Sequence, residues 1–439
     1  MRNENLLKVF GKYVSLNVLG MIALSCYILA DTYFVSKALG AAGLAALNLA
    51  IPVYNFIHGS GLMIGMGGGT KFSIFKSQGK DPAANQIFTN AAFVMICIAA
   101  VFFALGLFAS GPLVRLLGAN EQTYDMSRIY LQVILLFAPM FMLNNLLLCF
   151  VRNDGAPQLS MAAMIGGSLS NVVLDYVFMF PLNMGIFGAV LATGLAPVIS
   201  IAIMSPFFIK KKNSFRLTRC SIVFKNIGGV LSCGLPSLIT EASSGIVIIV
   251  FNMIILGLEG NTGVAAYGVI ANLSLVVIAI YTGIAQGIQP VISSQYGSGN
   301  RAGAKTILRY ALIVMSVVSV AVYGAIVLFA PEIAGIFNGE NNSLLQTIAV
   351  TGLKIYFTGC LFAGFNIIVS MYFTSTESPA PAQTVSILRG FVLILPSAFI
   401  LSYAAGMTGV WSAFPVTEVV VAVIALILLL FTGRTATCA

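Results

Sequence analysis

Four carboxylates, Asp31, Asp175, Glu241 and Glu418, each lie inside a long apolar stretch of this chain. A charge at bilayer depth costs about 3 kcal/mol on insertion scales. Acids kept in such places tend to face a bundle interior or a watery cavity and to mark ion or substrate routes. The chemistry they suggest is binding. No HExxH, no GxSxG and no catalytic Cys/His pair accompanies them, so an enzyme is not expected.

The stretches that carry these acids define the class. Of 439 residues, 59% are hydrophobic and 8% charged, whereas a soluble domain carries about 25% charged residues. Spans are predicted near 13–37, 44–72, 86–114, 127–149, 157–181, 185–209, 226–257, 263–293, 304–330, 344–371, 383–403 and 408–432. The expected fold is an all-α membrane protein of twelve transmembrane helices. Barrel strands would alternate in hydrophobicity and be about 10 residues long. The first helix is too long for a signal-peptide core, so no cleaved leader is expected. The seven cysteines (Cys26, Cys97, Cys149, Cys220, Cys233, Cys360 and Cys438) are scattered without a CxxC pair or Cys/His cluster. They read as reduced packing residues, and no cofactor is expected.

The net charge of +9 is topological rather than a nucleic-acid footprint. Lys and Arg gather at 1–12, 71–81, 152–154, 210–225, 301–309 and 434, while Lys37, Arg115, Arg128 and Lys354 fall on the opposite side. The positive-inside rule then places both termini in the cytoplasm. Lys210, Lys211, Lys212, Arg216, Arg219 and Lys225 form the densest run, expected to touch anionic lipid.

That run also divides the chain into an N-lobe (1–209), a cytoplasmic loop (210–225) and a C-lobe (226–439). The lobes look like diverged repeats. Gly43-Leu44-Ala45-Ala46 matches Gly263-Val264-Ala265-Ala266 at an offset of 220, which also aligns Gly67 with Gly287 and Gly79 with Gly299. Gly185-x-x-Gly188 recurs as Gly406-x-x-Gly409. Two pseudo-symmetric six-helix lobes in parallel orientation suit a carrier that binds between its halves and rocks. The second helix, with Gly59, Gly61, Gly65, Gly67, Gly68 and Gly69, lacks the strand and Gly-Lys-Ser ending of a phosphate loop. It reads as a close-packing or hinging helix.

Within the first lobe, Asp31 and Asp175 each lie about six residues from the outer end of their helices, roughly 9 Å deep. Thr193 reaches a similar depth, about 12 Å, on the sixth helix. Tyr27 and Asn171 stand one turn from Asp31 and Asp175, on the same helical faces. This oxygen-rich set suits sodium. It equally suits a proton, because low dielectric and a second carboxylate both favour the protonated acid. In the second lobe, Glu241 follows Pro236 by five residues, and a proline there favours a kink. Glu418 is a further candidate, with Arg389 an alternative partner that would make both structural. His58, the single histidine, is a packing residue or a proton relay.

These residues carry a resemblance. Ala30-Asp31-Thr32-Tyr33-Phe34-Val35-Ser36-Lys37-Ala38-Leu39-Gly40 resembles the first-helix signature of the multidrug and toxic compound extrusion (MATE) family. Arg152-Asn153-Asp154-Gly155-Ala156-Pro157, then Asn171-x-x-x-Asp175 and Gly185-x-x-Gly188-Ala189-x-x-Ala192-Thr193, resemble its later signatures in order and spacing. The likeness spans nearly the whole chain and is nearest the bacterial multidrug-pump branch. It implies a sodium- or proton-coupled antiporter of the bacterial inner membrane that expels cationic, amphipathic compounds by alternating access. Tyr27, Asp31, Asn171, Asp175 and Thr193 match the family's cation site, with Asp31, Asn171, Asp175 and Thr193 as ligands if the ion is sodium. Glu241 matches a position tied to coupling or substrate binding in some members. Some members have a proline in the first helix where this chain has Leu16, which aligns with Pro236 at the repeat offset. The alternative is a flippase for a lipid-linked or polymeric substrate, which would favour cations to grip phosphate. Oligomeric state is not legible in the sequence.

Overall fold

The computed structural model describes residues 5–121, 123–219, 222–338 and 342–435. Cys220 and Cys438 lie outside them. Among the described residues the regular structure is entirely helical. Ten apolar stretches are long enough to cross a bilayer. Two are far too long for one crossing. Phe224–Gly297 has 74 residues, about 110 Å of helix against a hydrocarbon core of about 30 Å. It breaks at Gly260 (φ 60°, ψ −152°). The stretch Pro379–Thr432 breaks at Gly406 (φ 56°, ψ −135°).

Divided there, the described residues give twelve membrane-length helices, with a short helix Ser110–Leu116 besides. They are α1 (Leu6–Gly40), α2 (Ala42–Ser77), α3 (Asp81–Phe108), α4 (Tyr124–Asn153), α5 (Pro157–Met179) and α6 (Gly185–Ile209). The second half continues with α7 (224–259), α8 (261–297), α9 (Arg301–Phe337), α10 (Ser343–Ser375), α11 (379–405) and α12 (407–435). Starts follow local chemistry: Pro157 and Pro379 sit in the first turns of α5 and α11, where a missing N–H costs nothing. Asn342 caps α10 by accepting from the N–H groups of Leu344 and Leu345 at 3.0 and 3.2 Å.

The repeat is written in the backbone. Gly40 (φ 62°, ψ −151°) turns α1 into α2 with the dihedrals that Gly260 uses between α7 and α8. Both lie in a region open to glycine and strained for other residues. Gly185 (φ 59°) and Gly406 (φ 56°) form a second matched pair. Pro236, by contrast, leaves α7 helical, since its only non-helical dihedrals fall at Gly260.

Residues cluster into two compact units, 15–242 with 293–301, and 1–14 with 243–292 and 302–439. In the first, the glycines of α2 are contact points. A Cβ on Gly67 would fall 1.9 Å from the Val230 carbonyl oxygen, and one on Gly234 would fall 1.7 Å from that of Met63. Gly61, Gly65 and Gly69 meet Asn145, Cys149 and Asn153 of α4 in the same way. The glycine-rich helix is therefore a packing spine between α4 and α7.

The basic loop has a second job that its charges concealed. Lys210, Lys211 and Lys212 are exposed, but Phe215 is 1% exposed. Its ring meets those of Phe72, Phe88, Phe150 and Phe208, with centroids 4.7–5.9 Å away. Phe215→Ala should destabilise the purified protein by about 3–5 kcal/mol. A lowered thermal midpoint checks this, and Lys211→Ala should leave that midpoint in place.

Candidate functional site

The signature residues divide into a structural set and a set of candidate binding residues. Arg152-Asn153-Asp154 is structural. Arg152 is buried and donates from Nη1 to Asn17 Oδ1 at 2.5 Å. Asn153 accepts from Ser73 Oγ at 2.7 Å and donates to the Cys149 carbonyl at 2.8 Å, joining α2 to α4. Asp154 pairs with Lys76 and accepts from the Ser214 N–H at 2.7 Å, which fastens the basic loop.

The binding set converges. Asp31 comes from α1, Asn171 and Asp175 from α5, and Thr193 from α6, all in one compact unit. All four are buried, Asp175 and Asn171 completely. With its amide oriented to satisfy both neighbours, Asn171 donates from Nδ2 to Asp175 Oδ2 at 3.1 Å. Its Oδ1 accepts from the Thr193 N–H at 3.2 Å. Thr193 Oγ1 donates back to the Ala189 carbonyl at 3.1 Å, leaving its lone pairs as acceptors. Tyr130 of α4 is buried beside Thr193 and near enough to both acids to act on them electrostatically.

The carboxyls of Asp31 and Asp175 lie close enough to act on each other electrostatically. Ionised carboxylates only accept, so a shared proton or cation would relieve their repulsion. A second observation agrees. Oδ1 of Asp31 and Oδ1 of Asp175 are both shielded from solvent, and neither receives a donor from the described residues. An unsatisfied buried acceptor costs roughly 1–3 kcal/mol, and more when charged. An oxygen-binding cation or a proton removes that cost.

The remaining candidates are not scattered. The Tyr27 hydroxyl bonds that of Tyr54 on α2 at 3.1 Å. One turn on, the His58 ring stacks on Tyr54 with centroids 5.9 Å apart, and Phe141 closes edge-on against Tyr54 at 5.4 Å. His58 Nδ1 lies 3.7 Å from Glu241 Oε2. Gly59 permits this approach, since a Cβ there would sit 2.9 Å from that of Glu241. Glu241 therefore lies in the compact unit of Asp31 and Asp175, rather than standing apart from them. Its side chain is 30% exposed, against 2% for Glu418.

Glu418 has the partner that competed for it in the sequence. Arg389 Nε lies 2.5 Å from its Oε1, and Asn366 Nδ2 donates to its Oε2 at 2.7 Å. Arg389 sits in a π-helical segment, Leu388–Val392, within α11. Tyr54 and Tyr130 were missed by the sequence reading. Tyr54 had a signal, being one turn before the only histidine. Tyr130 had none.

Buried carboxyls on membrane-length helices are typical of proteins that move ions or solutes. The MatE family model matches residues 18–177 and 236–400, and the chain belongs to that family. The multidrug export protein MepA of Staphylococcus saprophyticus is 24% identical over 415 residues, covering 94% of this chain and 90% of its own. A solved outward-facing multidrug resistance MATE transporter of the MOP superfamily superposes with a TM-score of 0.93 at 24% identity. That match covers 99% of this chain and 98% of the other. A MOP superfamily transporter from Pyrococcus furiosus, described as having a binding pocket of reversed polarity, gives 0.90 at 24%, covering 99% and 96%. The chain is thus a multi-pass membrane protein of a bacterial multidrug-export family of transporters, not of an enzyme family.

The Glu418 pair predicts a double-mutant cycle. Arg389→Met should destabilise by about 3–5 kcal/mol by stranding a buried carboxylate. Adding Glu418→Gln should recover much of that loss, as read from thermal midpoints in detergent.

Proposed function

We propose that this protein is an antiporter that exports cationic, amphipathic compounds in exchange for sodium or protons. The supporting observation is the burial of Asp31 and Asp175 in one compact unit, each with an Oδ1 that receives no donor from the described residues. With sodium, Asp31, Asp175, Asn171 and Thr193 would supply oxygen ligands. With a proton, one carboxyl would donate to the other. Either binding removes negative charge from the interior and favours a different packing of the helices around it.

Alternating access of the two lobes then gives the cycle. The outward state loads the coupling ion, and the inward state releases it and takes up the organic cation. The exposed carboxylate of Glu241 attracts that cation. Glu418 is held by Arg389 and Asn366 and serves as a structural element of the C-lobe. The acidic character of these segments disfavours the flippase alternative, whose phosphate cargo would meet repulsion. The basic loops support an inner-membrane location with both termini in the cytoplasm, and with lipid headgroups as neighbours.

Reconstituted protein, given a sodium gradient and then a pH gradient alone, should export an organic cation under at least one of them. Asp31→Asn should abolish gradient-driven export while the protein still expresses and folds. Undiminished export by that variant would sink the site assignment.

A further inference from the structure

We propose that segment 209–225 is a docking surface for anionic phospholipids of the inner leaflet, and that these lipids hold it clamped against α3 and α4. This rests on the reading that puts the segment on the cytoplasmic face, and it gives the neighbouring headgroups a charge and a task.

The segment is held down by its backbone rather than by its charges. Alternate N–H groups point the same way, as along one edge of a strand. Ser214 donates to Asp154 Oδ2 at 2.7 Å, Arg216 to Asn85 Oδ1 at 2.8 Å and Thr218 to Thr89 Oγ1 at 3.1 Å. Asn85 and Thr89 stand one turn apart on α3, and Asp154 follows the last residue of α4. Between the first two of these anchors the Phe215 ring is buried. All of these partners belong to one compact unit, which also holds the first turns of α7.

The cations are left on the outside. Lys210, Lys211, Lys212, Arg216, Arg219 and Lys225 are all exposed. No acid occurs between 210 and 225, and Asp154, the acid that receives the segment, is already paired with Lys76. Among the described residues none of the six cations forms an ion pair. Interleaved with them are large apolar side chains that are exposed too: Ile209 (76%), Leu217 (70%), Ile222 (45%) and Phe224 (84%).

One environment satisfies both sets. At a membrane interface, apolar side chains enter the acyl boundary while Lys and Arg meet headgroup phosphates. A zwitterionic surface would take the apolar side chains and leave the cations repelling one another. A free phosphate would neutralise charge and leave Leu217 and Phe224 in water. An anionic phospholipid does both. Its headgroup removes the repulsion that works against the docked backbone, so lipid binding and docking are linked and favour each other.

Hydrogen exchange of the full-length protein in nanodiscs reads the clamp directly, in peptides covering 213–219. Exchange there should be at least about fivefold slower in discs containing phosphatidylglycerol than in phosphatidylcholine discs, the lower end of common couplings. Peptides of α3 should exchange alike in both, which separates the clamp from general loosening. Salt at 1 M, where the screening length is about 3 Å, should erase the difference. So should the combined variant Lys210→Gln, Lys211→Gln, Lys212→Gln, Arg216→Gln and Arg219→Gln. Glycerol phosphate added to phosphatidylcholine discs should not slow exchange; if it does so as well as the lipid, the surface reads a free anion and the proposal falls. The sidedness is read separately, from Lys211→Cys and a membrane-impermeant maleimide, as labelling above that of the parent protein. Equal exchange in the two discs, with labelling confined to opened cells, would overturn the lipid clamp and leave the orientation standing. Labelling from outside intact cells would remove the orientation, and the clamp with it.

Discussion

Two carboxyls buried in one compact unit with an apolar interior are the constraint on which the first lobe is built. Neither can stay charged there without an opposite charge or a donor, and together they repel unless something is shared between them. The surrounding helices meet part of that demand. Asn171 donates to Asp175, and Thr193 and Tyr130 complete a polar wall. They stop short of meeting it all, because Oδ1 of each acid is left without a donor.

Rigid packing around the pair makes that gap usable. The glycines of α2 bring its backbone against α4 on one side and α7 on the other, at distances no side chain would allow. Asn153 and Asp154 fasten the C-terminal ends of α2 and α4 to each other and to the basic loop. Phe215 then seals the base of the same unit with an aromatic cluster. Charge changes at the acids act on a tightly packed frame, and such frames switch between arrangements rather than deform gradually. The second half uses its buried acid differently. Glu418 is fully matched by Arg389 and Asn366, which suits a scaffold more than a site.

Much of this was legible because the physics is local. An acid in an apolar run is conspicuous by its cost, and its partner one turn away on the same helix follows from 3.6-residue periodicity. Asp31 with Tyr27 and Asp175 with Asn171 were legible for that reason. The repeat was visible in glycines, since a backbone turn with positive φ leaves little choice of residue, and Gly40 and Gly260 share their dihedrals. What escaped depends on contacts between distant segments. Tyr130 and Tyr54 look like ordinary aromatics of apolar helices until the bundle brings them to the acids. Phe215 hides in a run read for its lysines. Pro236 leaves the backbone dihedrals of α7 helical. Glu241 was assigned to the far half by chain position, yet α7 carries it against Gly59 and His58 of α2.

The central claim is that Asp31 and Asp175 act as one unit that takes up one coupling ion. Infrared difference spectra of the membrane-reconstituted protein, recorded on adding sodium and on acidification, would report the carboxyl groups directly. A carboxyl band change under one of these conditions, lost in Asp31→Asn and lost equally in Asp175→Asn, is the predicted result. A band change that survives intact in either variant would contradict it.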